Sequence, residues 1–208
     1  MSTQKRSDKL TLFNICSSIK VPVDRFFKLN EVKYRAEHFF GYYCELYTSY
    51  LTVFVTNSSL RFIIFKKAAK KNHSHVNCTG VRNFSDHDIA VKHLCVLMEC
   101  KPEDVEVKLN NLSGSVDSIL HHLSRSNLKC VNLIKFAEVL DRSKSEIFTW
   151  RFNPETYSSI VFTYKERETC LLYNSGKLTV TGSKNIECMK EAANWMSRMI
   201  MCVLMQRQ

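Results

Sequence analysis

Polar and aromatic residues recur in this sequence in matched pairs, one member in each half of the chain. The pairs are Asn14 with Asn111, Tyr47 with Tyr157, Phe65 with Tyr173, and Thr79-Gly80 with Thr181-Gly182. Amides and hydroxyls can exchange hydrogen bonds, and aromatic rings can pack against other flat groups. Because the pairs keep the same order in both halves, they indicate an internal duplication.

No catalytic pattern accompanies these pairs. The sequence contains no P-loop, no G-x-S-x-G, no H-E-x-x-H, no Gly-rich dinucleotide turn and no close carboxylate pair on a convincing scaffold. His73, His75 and Cys78 could together hold a metal, but their spacing matches no common metal site. We therefore expect a protein that is not an enzyme and has neither a metal nor a cofactor.

The charge balance favours an anionic partner. There are 30 Lys plus Arg against 20 Asp plus Glu, a net charge of +10, which raises the prospect of nucleic-acid binding without defining a fold. A chain with 45% hydrophobic and 24% charged residues is typical of globular proteins rather than disordered ones. No apolar run approaches the roughly 20 residues of a membrane helix. The polar residues 1–9 predict neither a signal peptide nor an anchor.

The cysteine pattern argues for a reducing compartment. Nine cysteines are scattered along the chain, and none forms a C-x-x-C pair. A secreted disulfide framework is denser and usually even in number. We expect most of these residues to be small buried side chains of an intracellular protein.

The elements that position the pairs are clearest in the second half. Alternation predicts a strand over 105–112, followed by a turn at 113–117 and helical spacing over 118–127 and 130–141. A meander of three strands with turns between them follows at 157–164, 169–173 and 178–182. Apolar residues at steps of three and four then predict a long amphipathic helix over 186–204.

The first half repeats this order. It predicts a strand within 10–19, a helical stretch within 23–32, strands at 47–55, 60–65 and 75–80, and a closing helix over 85–98. Ser85 is the expected N-cap of that helix. The chain therefore divides into a polar tail at 1–9, a first repeat at 10–102 and a second repeat at 103–208.

Two such units predict an antiparallel sheet with its helices on one face. Alternation turns Leu178 and Val180 toward the helices and leaves Thr179 and Thr181 on the open face. In the preceding strand, Leu171 and Tyr173 point outward in the same way. A water-exposed sheet face is normally charged, so an open face with aliphatic, hydroxyl and aromatic groups indicates a binding surface.

These segments resemble the TATA-binding protein family. NPETY at 153–157, followed by the meander and YNSGKLTVTGSK at 173–184, is similar to the family signature N-P-x-x-F…I-F-x-S-G-K-x-x-x-T-G-A-K. KLNNLSGS at 108–115 and LFNICSS at 12–18 resemble the family's first-strand motif around an Asn. The resemblance extends from about residue 10 to 203 and is strongest over 150–184.

The resemblance implies an α+β saddle in which two pseudo-symmetric repeats form one curved, ten-stranded antiparallel sheet with helices on its convex face. The concave face would sit on the DNA minor groove. Asn14 and Asn111 would donate amide hydrogens to base acceptors, with Thr79 and Thr181 adding hydroxyls. The other implied DNA contacts are Ile63, Leu171 and Thr179 on the groove floor, and Arg82, Lys177 and Lys184 at phosphates. Two wedging pairs, Tyr47 with Phe65 and Tyr157 with Tyr173, would insert between base steps, as in the family.

The implied function is that of a general transcription initiation factor in the nucleus. It would bind and bend promoter DNA, and nucleate a complex with IIB-like and IIA-like factors and the RNA polymerase machinery. The corresponding partner segments are 165–169 and 56–59, and Glu166 and Glu168 would pair with a basic partner.

Two departures from the family separate this chain from its typical members. Three of the four wedges are Tyr, and an unpaired buried hydroxyl costs about 1–3 kcal/mol. We therefore expect shallower kinking, weaker affinity or relaxed sequence preference. In the first half, residues 66–75 replace the S-G-K turn, and Asn77 stands where the family has an aliphatic residue.

Alternatives remain for the same residues. Tyr157 and Tyr173 could be half-buried sheet residues, and Asn14 and Asn111 could be structural. The alternative function is a protein-interaction scaffold that keeps the fold but has weak or no sequence-specific DNA binding. Binding assays at two salt concentrations separate these functions, because a groove binder loses affinity steeply with salt.

Overall fold

The computed structural model describes residues 10–68, 71–117, 119, 123–124, 129–142 and 145–205. Most of the helical segment predicted at 118–127 lies outside these residues. The chain forms two compact units. The first-half unit is Phe13–Asn111, and the second-half unit combines the residues before Phe13 with those from Leu112 onward. Over the described residues, no helix has the length and apolar character needed to span a bilayer.

The first-half unit places two helices against an antiparallel sheet. Its strands are β1 (Leu10–Pro22), β2 (Tyr43–Leu46), β3 (Tyr50–Phe54), β4 (Arg61–Phe65) and β5 (His73–Val81), in the order β2-β3-β4-β5-β1. Its helices are α1 (Leu29–Phe40) and α2 (Phe84–Met98), followed by a 3-10 turn at Pro102–Asp104. Helix α1 packs on β3 and α2 on β5. Alternate residues of the strands, such as Phe62, Ile64 and Val76, are fully buried beneath them.

The second-half unit repeats this arrangement. Its strands are β6 (Glu106–Val116, of which the residues from Leu112 belong to this unit), β7 (Phe148–Arg151), β8 (Ser159–Tyr164), β9 (Glu168–Tyr173) and β10 (Leu178–Ser183). The strand order is β6-β10-β9-β8-β7, again antiparallel. Helices α3 (Leu133–Asp141) and α4 (Ile186–Met205) follow, and α4 packs on β10 and β9. The repeat boundaries at 102 and 103 stay a prediction.

The sequence correctly predicts which side of helix α4 is buried against the second-half sheet. Met189, Ala193, Met196 and Ile200 of α4 are all buried, as their spacing predicts. Trp195 of the same helix packs on Phe148 and Tyr164 with ring centroids 5.4 Å apart in both cases. This packing fixes β7 and β8 against the helix and leaves their other face free of it.

Several local predictions are wrong. Helix α2 begins one residue earlier than predicted, because its N-cap is Asn83 and not Ser85: the Asn83 side chain accepts a hydrogen bond from the Asp86 amide at 2.8 Å. Residues 113–116 continue strand β6 instead of turning. The helical stretch expected within 23–32 begins only at Leu29.

The edge strands and the cysteines also differ from expectation. The strand predicted at 47–55 is limited to Tyr50–Phe54, and the short strands β2 and β7 were not found by alternation. Four cysteines are buried, namely Cys44, Cys78, Cys95 and Cys170, so burial holds for fewer than expected. All nine are free thiols.

Candidate nucleic-acid interface

The side of the second-half sheet turned away from α4 carries a regular array of small side chains. Cross-strand pairing brings Arg151, Val161, Leu171, Thr179 and Ser115 into one row. A second row consists of Thr149, Thr163, Thr169 and Thr181. In this second row the Thr181 hydroxyl lies 2.9 Å from the hydroxyl of Ser113. The face is therefore aliphatic along one row and rich in hydroxyls along the next.

Leu171, Thr179 and Thr181 lie on this open face, at the register positions that alternation predicts. Leu171 and Thr181 are half-buried, while Thr179 is 9% exposed because Leu171 and Ser115 flank it on both sides. A short, well-supported side chain of this kind presents a fixed surface to a ligand.

The two second-half tyrosines differ in exposure. Tyr157 lies in the turn before β8, where its amide donates to the Asn153 carbonyl at 2.9 Å, and it is 57% exposed. This exposure contradicts the alternative that Tyr157 is a half-buried sheet residue. Tyr173 is half-buried and lies opposite Ser159. In the described part of the chain, no ring-to-ring contact joins Tyr157 to Tyr173.

The open side of the first-half sheet is more polar. One row contains Glu45, Thr52, Ile63, Asn77 and Ser18. The Ser18 hydroxyl donates to the side-chain oxygen Oδ1 of Asn77 at 3.1 Å and accepts from the side-chain nitrogen Nδ2 of Asn110. Ile63 is half-buried in this row. Asn77 thus fills the family's aliphatic position with a side chain that already has a hydrogen-bond partner.

Asn14 is held in a defined orientation. Its Oδ1 accepts hydrogen bonds from the Gly80 amide at 2.9 Å and from the Thr79 hydroxyl at 3.3 Å. A backbone N–H can only donate, so it requires the oxygen of the side-chain amide at that position. The amide nitrogen therefore points the other way, toward the Cys16 sulfur at 3.3 Å. Thr79 and Asn14 act as one unit, which gives Asn14 a structural role.

Asn111 is half-buried on β6, at the end of the first-half unit. The structure therefore places both predicted asparagines in the same compact unit. Their side-chain amides are the groups predicted to donate hydrogen bonds to base acceptors.

An aromatic cluster, formed by Tyr47, Tyr50 and Phe65, lies at one end of the first-half face. Tyr47 stacks on Tyr50 with ring centroids 4.5 Å apart, and Tyr50 packs on Phe65 at 6.1 Å. Tyr50 was not among the predicted site residues, although it alternates with Thr52 and Phe54 in β3. It separates the proposed wedges Tyr47 and Phe65 from one another.

Glu45 lies beside this aromatic cluster. Its carboxylate oxygens accept hydrogen bonds from the Tyr47 hydroxyl at 3.0 Å and the Tyr43 hydroxyl at 3.2 Å. These hydrogen bonds, with the negative charge, raise the pKa of both tyrosines above the ordinary value of 10.0. Both tyrosines therefore keep their protons and donate to Glu45 at neutral pH.

The predicted phosphate-contacting cations are accessible to solvent. Arg82, Lys177 and Lys184 are exposed, as phosphate-contacting residues must be. Arg61, which was not predicted, is exposed as well and lies over the Phe54 ring at 5.0 Å. Arg61 and Arg82 line a shallow pocket with Asn14 and Thr79. Positive charge and hydrogen-bonding groups thus meet in the first-half unit.

The hairpin turn between β8 and β9 corrects one predicted partner contact. Lys165 and Glu166 adopt left-handed φ angles of 46° and 60°, and Glu166 is exposed. Glu168 is only 6% exposed, and its carboxylate accepts a hydrogen bond from Ser183 at 3.2 Å. The prediction that Glu168 pairs with a basic partner is therefore wrong for this conformation, because β-sheet alternation turns it inward.

The sequence and the fold both match known TATA-binding proteins. A family model described as "Transcription factor TFIID (or TATA-binding protein, TBP)" matches residues 127–203. The TATA-box-binding protein of Thermococcus celer is 30% identical over 98 residues, which cover 47% of this chain and 43% of that protein. The solved structure of Methanococcus jannaschii TBP matches with a TM-score of 0.64 at 20% identity, covering 92% of this chain and 98% of that one.

Residues 127–203 match the TATA-binding protein family, and the chain as a whole has the fold of a TATA-binding protein.

The structural match confirms the predicted TBP-like α+β fold. The family is one of transcription factors and not of enzymes. The aligned segment spans less than half of the Thermococcus relative, and the family model covers mainly the second half of this chain. That distribution agrees with the sequence signature, which is strongest over 150–184.

Strand pairing shows where the two halves of this TATA-binding-protein relative differ. Glu45 lies opposite Thr52, which lies opposite Ile63. Arg151 lies opposite Val161, which lies opposite Leu171. Glu45 and Arg151 therefore occupy equivalent positions with opposite charges. Sequence reasoning missed both residues because it did not detect the short edge strands that carry them.

Proposed function

We propose that this protein is a promoter-binding initiation factor that binds duplex DNA through the minor groove and bends it. The observation that carries the proposal is the open sheet face of each unit, which presents aliphatic, hydroxyl and amide groups where a water-exposed face would carry charges. The predicted phosphate-contacting cations are exposed, and the chain has a net charge of +10.

The polar groups suit the minor groove. At A·T pairs the groove floor offers only the acceptors adenine N3 and thymine O2. Asn14 would donate from its amide nitrogen, since its oxygen is engaged with Gly80. Asn111 would donate from its amide nitrogen as well, and Thr181 would contribute a hydroxyl. Thr79, whose proton is engaged by Asn14, would hold that side chain in place. Leu171, Thr179 and Ile63 would lie against the groove floor, while Arg82, Lys177 and Lys184 would contact phosphates.

The aromatic residues would bend the duplex less sharply than the family's phenylalanines. Tyr157 is exposed enough to enter a base step, whereas Tyr173 is half-buried. In the first half, insertion of Tyr47 would require its ring to leave Tyr50 and its hydroxyl to leave Glu45. Each step opposes insertion, so we expect a shallow bend and relaxed sequence preference.

Partner binding is part of the same proposal. The hairpin turn at 165–169 would receive a IIB-like factor through Glu166, and the turn at 56–59 a IIA-like factor. Such a complex would recruit the polymerase machinery, in the nucleus of a cell that has one. Exchange of Glu166 for Lys should weaken binding of a IIB-like factor to the protein on DNA.

Competition binding tests the central claim. The protein should bind an A·T-rich duplex more tightly than a mixed one, and a fluorescence-transfer pair on the duplex ends should report bending. Tyr157→Ala should reduce the bend. Tyr34→Ala is the matched control, because Tyr34 is 55% exposed on α1, on the helix-bearing side of the first-half unit. Absence of any saturable duplex binding at low salt would contradict the proposal.

The second candidate is a protein-interaction scaffold of the same fold. The carboxylate of Glu45 on the open first-half face favours it, because a fixed negative charge repels DNA. A scaffold would bind a general transcription factor with no duplex present, and its Tyr157→Ala variant would leave any residual DNA binding unchanged.

A further inference from the structure

Glu45 is an unusual residue for a face that would meet a polyanion. It is half-buried on β2, and its two carboxylate oxygens receive the hydroxyls of Tyr47 and Tyr43 at 3.0 and 3.2 Å. Among the described residues, no Lys or Arg nitrogen lies within 4.0 Å of this carboxylate. Two neutral donors orient the charge without cancelling it.

The equivalent position in the second half has the opposite charge. Arg151 is exposed, at the same register position relative to Val161 and Leu171 that Glu45 has relative to Thr52 and Ile63. The described residues provide no carboxylate within 4.0 Å of its guanidinium group. One half of the chain therefore offers a cation where the other offers an anion.

The cross-strand rows that start at Arg151 and Glu45 also differ in polarity. The row from Arg151 continues through Val161, Leu171 and Thr179, all suited to an apolar groove floor. The row from Glu45 continues to Asn77, whose oxygen is already engaged by Ser18. Charge and polarity both make the row from Glu45 less suited to a groove floor than the row from Arg151.

We propose that Glu45 is a negative determinant of DNA binding, which holds the Tyr47 ring out of the duplex and weakens contact at the β2 end of the first-half face. This inference rests on the proposed DNA-binding function and assigns a role within it. Glu45 acts through charge repulsion and through Tyr47, so it is a positioning residue and not one that contacts bases. Arg151 is its counterpart, which attracts the backbone phosphates.

Neutral substitutions at the two positions test the inference. Glu45→Gln should tighten binding to an A·T-rich duplex by about three- to tenfold near 0.1 M salt, because one fixed repulsion is removed. Arg151→Gln should weaken binding by a similar factor and lower the magnitude of the salt slope by about one. Glu138→Gln on α3 is the control for net charge, since Glu138 is exposed on a helix and should not face the duplex.

A second measurement on the free protein keeps the test independent of DNA. Spectrophotometric titration of Glu45→Gln should show two tyrosines ionising at lower pH than in the wild type, as the hydrogen bonds and the charge are lost. Glu138→Gln should leave the tyrosine titration unchanged.

The outcomes separate this inference from the proposed function. If the wild type binds the duplex but Glu45→Gln binds no more tightly than Glu138→Gln, the role of Glu45 is refuted and the proposed function stands. If neither the wild type nor Glu45→Gln binds any duplex at low salt, the proposed function fails and the inference with it. Binding gained only by Glu45→Gln supports the inference in its strongest form.

Discussion

At the scale of single residues, Asn14 accepts a hydrogen bond from the Gly80 amide and is proposed to donate one to DNA. Substitutions can separate these two roles. Asn14→Asp keeps an oxygen for the Gly80 amide but replaces the donor nitrogen with negative charge. We expect near-normal stability and at least about tenfold weaker DNA binding, since a donor is lost and a repulsion gained. Asn14→Ala should instead lower the free energy of unfolding by about 1–3 kcal/mol, because the Gly80 amide loses its acceptor.

Chemical denaturation and duplex titration of both Asn14 variants check this. Equal loss of stability in Asn14→Asp and Asn14→Ala would show that the oxygen alone does not support the Gly80 amide. Normal DNA affinity in Asn14→Asp would remove the amide nitrogen from the proposed interface.

His87 makes the stability of the first-half unit depend on pH. It is buried, and its Nε2 lies 2.8 Å from the Ser17 hydroxyl. Desolvation lowers the pKa of His87 below 6.5, and the nearby charge of Asp88 only partly opposes this. The unfolded chain then binds a proton at higher pH than the folded chain does. Stability should therefore be full above pH 6.5 and should fall as the pH drops below that value.

Urea unfolding at pH 7.5, 6.5 and 5.5 measures this dependence. His87→Gln keeps a polar side chain near Ser17 and cannot be protonated, so the part of the pH dependence that His87 causes should disappear. An unchanged pH profile in His87→Gln would assign the loss of stability to other groups.

The residues found from the sequence are those carried by a motif. Asn14, Thr79 and Thr181 recur with a glycine or a strand pattern around them, and each lies on an open face. Glu45, Tyr50 and Arg151 have no such motif, and only strand pairing shows that they share rows with Ile63, Phe65 and Leu171. Glu168 was predicted as an exposed partner contact because of its charge, but the pleat of β9 turns its side chain inward.

At the scale of helices and strands, the length of an element decides whether its hydrophobic pattern can be recognised in the sequence. The 20-residue helix α4 contains enough turns for its apolar stripe to be unmistakable. Strands β2 and β7 have four residues each, which is too short for alternation to stand out from a loop. Their existence depends on pairing with β3 and β8, a long-range interaction that no local pattern encodes.

The ends of β5 and β10 offer a matched test of a backbone constraint. Gly80 and Gly182 have φ angles of 85° and 89°, so any side chain is strained at both. A Cβ at Gly80 would also lie 1.8 Å from the Ser59 carbonyl oxygen, whereas at Gly182 the nearest atom is 3.4 Å away. Gly182→Ala should lower the free energy of unfolding by about 1–2 kcal/mol. Gly80→Ala should lower it by clearly more, because the β3–β4 turn must also move.

Thermal and urea unfolding of the two alanine variants distinguish these effects. Equal destabilisation would mean that the turn at Ser59 yields easily and that φ strain alone acts. Greater destabilisation by Gly182→Ala would contradict the geometry of both sites.

At the scale of the whole molecule, duplication made the fold predictable. In the part of the chain that the structure describes, both halves contain a strand, a helix, four strands and a closing helix in that order, so each half supports the interpretation of the other despite different loop lengths. The site was less predictable, because the residues on the open sheet faces differ between the two halves. Opposite charges at Glu45 and Arg151 leave the fold intact and change only what each face can bind.

The net charge of +10 leads to a further test, because the affinity of a basic protein for duplex DNA should fall as the salt concentration rises. Each phosphate contact releases counterions, so the logarithm of the binding constant should fall linearly with the logarithm of the salt concentration. Lys184→Ala and Arg82→Ala should each weaken binding and lower the magnitude of that slope by about one. Lys92→Ala, an exposed cation on α2, should leave the slope unchanged. If all three variants reduce the slope equally, DNA contacts the protein without a preferred face, and the open sheet is not the interface.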